Sequence, residues 1–284
     1  MRAHKAGISR RDGKMKATAE RPGGGPAVGK EKGGRALIAQ RKRYHTLDLI
    51  RGLALCSMML YHAAWDLVWL FGVDWPWYSS NGAFVWQQAT CWTFILLSGF
   101  CAPLSRGGGR RGLLVFGCGW AITLCMELFS PATPNYFGIL VLLGSAMLLT
   151  WVMREALRKL TAVPAILLSF GLFLATRWVS RGRIGWGRLS VALPPALYAN
   201  QFTAFLGFPP RGFYSTDYFP LAPWFFLFLT GYFLHFLARR HGWLERLHDL
   251  RAPMLNWLGR RSLPVYMFHQ PVILALLWIG FRLF

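Results

Sequence analysis

An all-α fold, a bundle of membrane-crossing helices, is predicted by three features of the sequence. Apolar runs of about 20 residues, the length that crosses a bilayer as a helix, recur along the chain. Of the 284 residues 54% are hydrophobic and only 15% are charged, where a soluble domain needs about a quarter. Basic residues, finally, collect in alternate connections between the apolar runs.

Residues 1–43 lie outside this pattern. They hold thirteen Lys and Arg against Asp12, Glu20 and Glu31, about half of the net charge of +21, and the run Pro22-Gly-Gly-Gly-Pro26. Nothing there can bury a core, so a disordered basic tail is expected, with no signal-peptide core. Such a tail suits nucleic acid, organelle targeting or anionic headgroups. The expectation is a cytoplasmic tail drawn to headgroups, with no nucleic-acid partner.

Residues 44–284 are read as one membrane domain with seven spans: 49–71, 84–104, 113–130, 137–153, 161–178, 219–237 and 263–283. Arg106, Arg110 and Arg111 occupy one connection, Arg154, Arg158 and Lys159 the next alternate one, and Arg239, Arg240, Arg246, Arg251, Arg260 and Arg261 the third. Positive charge marks the cytoplasmic side, so these connections and the N-terminus are expected inside a cell (inner) membrane. Segment 178–218 breaks the rule. It belongs outside, yet it carries Arg181, Arg183, Arg188 and Arg211. The expected form is an external loop with an interfacial hairpin; the alternative is an eighth, broken span around Pro194-Pro195. Trp75, Trp77, Tyr78 and Trp224, Phe225, Phe226 read as interfacial belts. The five cysteines lack metal-ligand spacing and read as small buried hydrophobes, and no metal site is expected.

The chemistry concentrates in the first span. Steps of eleven and four residues place Arg51, His62 and Asp66 on one helical stripe. His62 falls about 20 Å along the helix, where an imidazole is costly unless it faces a partner or a wet cavity. Asp66, at i+4, can orient the ring and hold its tautomer. Glu127 and Asp217 are expected at similar depth, each with a bland reading beside it: a helix-end acid facing water, and an N-cap for the next helix. Arg51 is either a flanking Arg paired with Asp48 or a phosphate contact at a cavity mouth. In the last span Pro271 removes a backbone donor, so His269 and Gln270 either line a passage or cap freed carbonyls. Gln87, Gln88, Thr90 and Ser98 read as interhelical hydrogen-bond partners.

These residues resemble a known family. Arg51-(ten residues)-His62 is similar to the signature of transmembrane acyltransferases, including the type-3 enzymes that modify surface sugars. Leu47-Asp-Leu-Ile-Arg51-Gly, Tyr61-His62-Ala-Ala-Trp-Asp66, Phe94-Ile-Leu-Leu-Ser98-Gly99, Tyr136-Phe-Gly138, Asp217-Tyr218-Phe-Pro220 and Ser262-Leu-Pro-Val-Tyr-Met-Phe-His269-Gln270-Pro271 more closely resemble the bacterial branch of the heparan-α-glucosaminide N-acetyltransferase catalytic-domain family. The resemblance implies an enzyme that moves an acyl group, usually acetyl, from cytoplasmic acyl-CoA to a sugar hydroxyl or amine of a glycan or glycolipid at the other face. Acetyl-CoA is then a co-substrate, with no tightly bound cofactor. His62 would be the catalytic base and Asp66 its partner. Arg51, Glu127, Asp217, Tyr218, His269 and Gln270 would contact substrate. In the lysosomal relatives the catalytic histidine lies in the loop after the first span; the loop from Gly72 to Gly82 holds none, which leaves His62. Direct transfer and an acyl-histidine intermediate are both open. The rival class is a proton-coupled transporter relaying protons through His62, Asp66 and Glu127, and an inactive scaffold is a third.

Overall fold

The computed structural model describes residues 44–105, 107–247 and 250–283; the basic tail and Arg106 lie outside the described residues. Its helices are α1 (His45–Trp69), α2 (Asn81–Cys101), α3 (Gly108–Phe129), α4 (Ile139–Val152), α5 (Arg154–Arg158), α6 (Ala162–Ala175), α7 (Gln201–Leu206), α8 (Leu221–Arg240), α9 (Trp243–Arg246), α10 (Pro253–Arg260) and α11 (Ser262–Leu283). Each predicted span overlaps one of these helices. Four helical stretches are long and apolar enough to cross a membrane: Gly108–Phe129, Ala162–Arg181, Leu221–Arg240 and Ser262–Leu283. α4 is apolar but only 14 residues long. α1 and α2 have the length, but Asp48, Arg51 and Asp66 in one and Gln87, Gln88 and Thr90 in the other lower their hydropathy.

Segment 178–218 holds no long helix, so the eighth-span alternative fails. It folds as single turns, the short α7 and an antiparallel hairpin of β1 (Arg183–Ile184) and β2 (Val191–Ala192), with Arg183 opposite Ala192. Pro194 and Pro195 account for this, since neither supplies the backbone donor that a continuous helix requires.

The centre of the bundle is the pairing of α8 with α2, α4 and α6, around Phe173, Phe228, Leu227, Ile95 and Leu142, which are fully buried. Between helices in lipid, burial alone gives little driving force, so close packing decides. Two crossings show it. A Cβ on Gly99 would lie 2.0 Å from the Phe228 carbonyl oxygen, and one on Gly231 would lie 2.1 Å from that of Leu96. At the α1–α10 crossing a Cβ on Gly259 would lie 1.9 Å from the Asp48 carbonyl oxygen. Hydroxyls add interhelical ties: Ser57 to Thr90 at 2.7 Å and Ser169 to Thr230 at 3.0 Å. One belt prediction is corrected. Trp224 is buried in the core beneath the Arg177 guanidinium, 4.7 Å from its ring centroid, because the chain enters α8 through the middle of the bundle.

Candidate active site

α1 and α11 run side by side and bring their polar residues together. The His62 and His269 rings meet edge-on with centroids 4.9 Å apart, and the His269 ring lies 5.2 Å from that of Tyr266. His269 Nδ1 is 2.6 Å from the Tyr266 carbonyl oxygen. A carbonyl only accepts, so Nδ1 carries the proton and Nε2 is the acceptor. That Nε2 is buried without a partner. His269 therefore does not cap the Met267 carbonyl that Pro271 leaves free. His62 is half-buried, and among the described residues its ring makes no hydrogen bond. Neither His62 nor His269 is among the residues that line the neighbouring cavity, which Tyr266 borders.

Asp66 does not hold the His62 ring, contrary to expectation. It is fully buried, and its Oδ1 accepts a 2.7 Å bond from Gln270 Nε2. The short aspartate would have to reach back a whole turn, whereas the longer glutamine side chain comes to it from α11. Asp66 Oδ2 and Gln270 Oε1 are buried without partners. Asp66 thus fixes the segment of α11 that carries His269.

A cavity of about 490 Å³ lies beside this cluster. Residues of α4 from Trp151 back to Ile139 line it, which is about 18 Å of helix. Arg51, Arg111, Arg154, Arg158 and Arg239 gather toward one end, from four different helices; Ile139 and Tyr266 stand toward the other, where α4 begins. Arg51 meets Asp48 at 3.0 Å, and Glu155 meets Arg154 at 3.0 Å and Arg158 at 3.7 Å. Among the described residues no carboxylate pairs with Arg111 or Arg239. Five guanidiniums against two carboxylates leave the site in need of an anion. Arg51 both pairs with Asp48 and lines the cavity. Its Nη2 also donates to Cys101 Sγ at 3.1 Å.

Asp217 sits at the far end. It is not the N-cap of α8, a position held by Pro220. Its Oδ2 instead accepts from the Ile139 N–H at 3.1 Å, across the bundle at the start of α4, and the Tyr266 hydroxyl is its side-chain partner. Burial pushes its carboxyl up to about 6, against the pull of these two donors. A Cβ at position 138 would lie 3.0 Å from this carboxylate and 2.6 Å from Asn135 Oδ1, side-chain ends that would have to shift. Asp217 thus joins two residues of the cavity wall.

The remaining candidates lie apart. Glu127 accepts from the exposed Tyr136 hydroxyl at 2.6 Å, and Tyr218 donates to the Ala204 carbonyl at 2.5 Å, tying down α7. Among the described residues neither Glu127 nor Asp217 bonds to His62 or Asp66; each has its own partner. Among the described residues no three His, Cys, Asp or Glu side chains gather as metal ligands. Neither the place of Tyr266 nor the convergence of Arg111 and Arg239 is legible in the sequence. The arginines were visible only as loop charge, and nothing local shows that separate loops meet.

The family model described as heparan-alpha-glucosaminide N-acetyltransferase, catalytic, matches residues 43–271. The chain belongs to that family. No curated protein and no solved structure matches it. The matched region takes in α1 to α10, the cavity, and α11 as far as Pro271, so it contains His62, Asp66, His269 and Gln270. Membership in the heparan-alpha-glucosaminide N-acetyltransferase family, together with the four long apolar helices, supports a membrane transferase.

Proposed function

We propose that this family member is a seven-span acyltransferase of the cell membrane, N-terminus inside, that moves acetyl from cytoplasmic acetyl-CoA to a sugar hydroxyl or amine across the bilayer. The observation that carries the reading is the arginine-lined cavity leading to Tyr266, two ring contacts from His62. The diphosphate and 3′-phosphate of CoA suit the guanidiniums at one end. The pantetheine arm follows α4, and the thioester reaches the far end. His62 accepts the proton of the acceptor nucleophile as it attacks the thioester carbonyl. The new C–O or C–N bond forms, the C–S bond breaks, and the leaving CoA thiolate takes the proton from the imidazolium. His269 Nε2 is an acceptor for the second N–H of that imidazolium. Asp66 acts at one remove, by holding Gln270 and so the His269 segment. Holding donor and acceptor together supplies much of the rate.

The proton relay required by a transporter has less support, because Glu127 bonds to Tyr136 rather than to the histidine pair. The test is to incubate membranes with labelled acetyl-CoA and follow label into glycan. His62→Ala is expected to keep thermal protection by acetyl-CoA, a mass-action effect, and to lose transfer. Undiminished transfer would remove His62 from the mechanism.

A further inference from the structure

The arginines that break the charge rule in segment 178–218 are not used by the acyltransferase reading. From Arg177 to Arg211 there are five arginines and no acidic residue. Three of them, Arg181, Arg183 and Arg188, are exposed on or beside the β1–β2 hairpin. This hairpin is tied to the helix before it. The Gly185 N–H donates to the Ala175 carbonyl at 2.7 Å, and the Tyr198 hydroxyl donates to the Val179 carbonyl at 2.5 Å. It therefore stands at the end of Ala162–Arg181, a stretch long and apolar enough to cross a membrane. A span that ends there holds the hairpin at the depth of the headgroups.

The guanidiniums are oriented. Arg181 lies over the Trp178 ring, 4.6 Å from its centroid, and Arg183 Nε and Nη2 donate to the Ser190 hydroxyl at 3.1 and 2.8 Å. With Gly187 these four side chains line a cup of about 320 Å³. Around it Trp186, Leu189 and Val191 are exposed, Leu189 by 86%. Cations set among exposed aromatic and aliphatic side chains suit a surface that is part anion and part hydrocarbon. A water-borne polyanion would leave the apolar side chains uncovered.

We propose that the β1–β2 hairpin is a binding site for the phosphodiester headgroup of an acidic phospholipid, with Arg181 and Arg183 on the phosphate and Trp186, Leu189 and Val191 among the acyl chains. Arg188 adds attraction from the rim. The lipid explains why positive charge persists on the side where topology disfavours it. The site is independent of the donor cavity.

The test uses the whole protein in neutral detergent, with melting followed as short-chain phosphatidylglycerol, phosphatidylcholine, inorganic phosphate or a polyuronate oligosaccharide is added. Phosphatidylglycerol is expected to raise the melting temperature well beyond the other three. A basic side chain near an anionic surface is worth about fivefold in affinity. The triple variant Arg181→Gln/Arg183→Gln/Arg188→Gln is then expected to lose on the order of a hundredfold in phosphatidylglycerol affinity. Its protection by acetyl-CoA is expected to be unchanged, which checks folding. If the triple variant does not fold, the exposed Arg188→Gln alone decides, with an expected loss of about fivefold. Equal shifts with phosphatidylcholine, an undiminished phosphatidylglycerol shift in the variants, or a response to polyuronate or phosphate in place of the lipid would each overturn the assignment.

Discussion

Arg111 and Arg239 line the cavity without carboxylate partners among the described residues, so their removal tests what the cavity holds. A hydrogen bond to a charged group contributes about 1.5–3 kcal/mol. Both arginines are exposed at the wet end, which favours the lower figure, about tenfold in Kd for each. Arg111→Gln and Arg239→Gln together are expected to weaken acetyl-CoA binding by roughly a hundredfold if the sites act independently. Arg154 is the control. Its side chain is 55% exposed and already bonded to Glu155, and a surface ion pair contributes only about 0–1 kcal/mol, so Arg154→Gln is expected to change Kd by less than about fivefold. Calorimetric titration of the purified protein with acetyl-CoA reads both the double variant and the control, and raising salt should weaken the wild type more than the double variant. A double variant that melts like the wild type and binds acetyl-CoA as tightly would refute the placement of phosphates at this end.

Three further outcomes follow from particular contacts. Asp66→Ala strands a buried Gln270 amide and is expected to cost about 1–3 kcal/mol, whereas Asp66→Asn keeps an acceptor for Gln270 and should melt close to wild type; equal melting of the two would show that the bond carries no weight. Gly231→Ala drives a methyl against the Leu96 carbonyl oxygen and is expected to cost about 3 kcal/mol or more, read as lost monodisperse yield, while Gly171→Ala, with nothing within 4 Å, should be harmless. The half-buried Asp217 has its folded-state pKa raised to about 6, so the folded protein binds more protons than the unfolded chain in the interval below it. Stability from this group is therefore full at about pH 4 and falls as pH rises through about 6. Melting temperatures across that window should slope downward in the wild type and flatten in Asp217→Asn.

The helices were legible because hydrocarbon length and loop charge are local signals. The stripe joining Arg51, His62 and Asp66 was legible for the same reason, since periodicity fixes which side chains share a face. Partner choice was not. The i+4 rule predicted Asp66 on His62, yet the carboxylate bonds to Gln270, 204 positions away, because α11 lies alongside α1. Asp217 is alike: an N-cap for the helix that follows is one of its two readings in the sequence, and the bond instead crosses to α4. The cavity was the least visible feature. Arg111, Arg154 and Arg239 are ordinary membrane-flanking arginines until the connections carrying them are brought to one place. Irregularity in 178–218 was foretold by its prolines, though not the anchoring that gives the hairpin its shape.

The glycine crossing of α2 and α8 limits how the cavity beside it can be reshaped. Backbone touches backbone there, so the two helices cannot shift against each other. Extra room has to come from side chains that line the cavity, and on α4 Leu140, Leu143 and Met147 can be shortened. Leu143 is also core, and trimming a buried leucine to alanine usually costs 2–5 kcal/mol. Met147 is only partly buried, which makes it the safer first cut for widening the cavity.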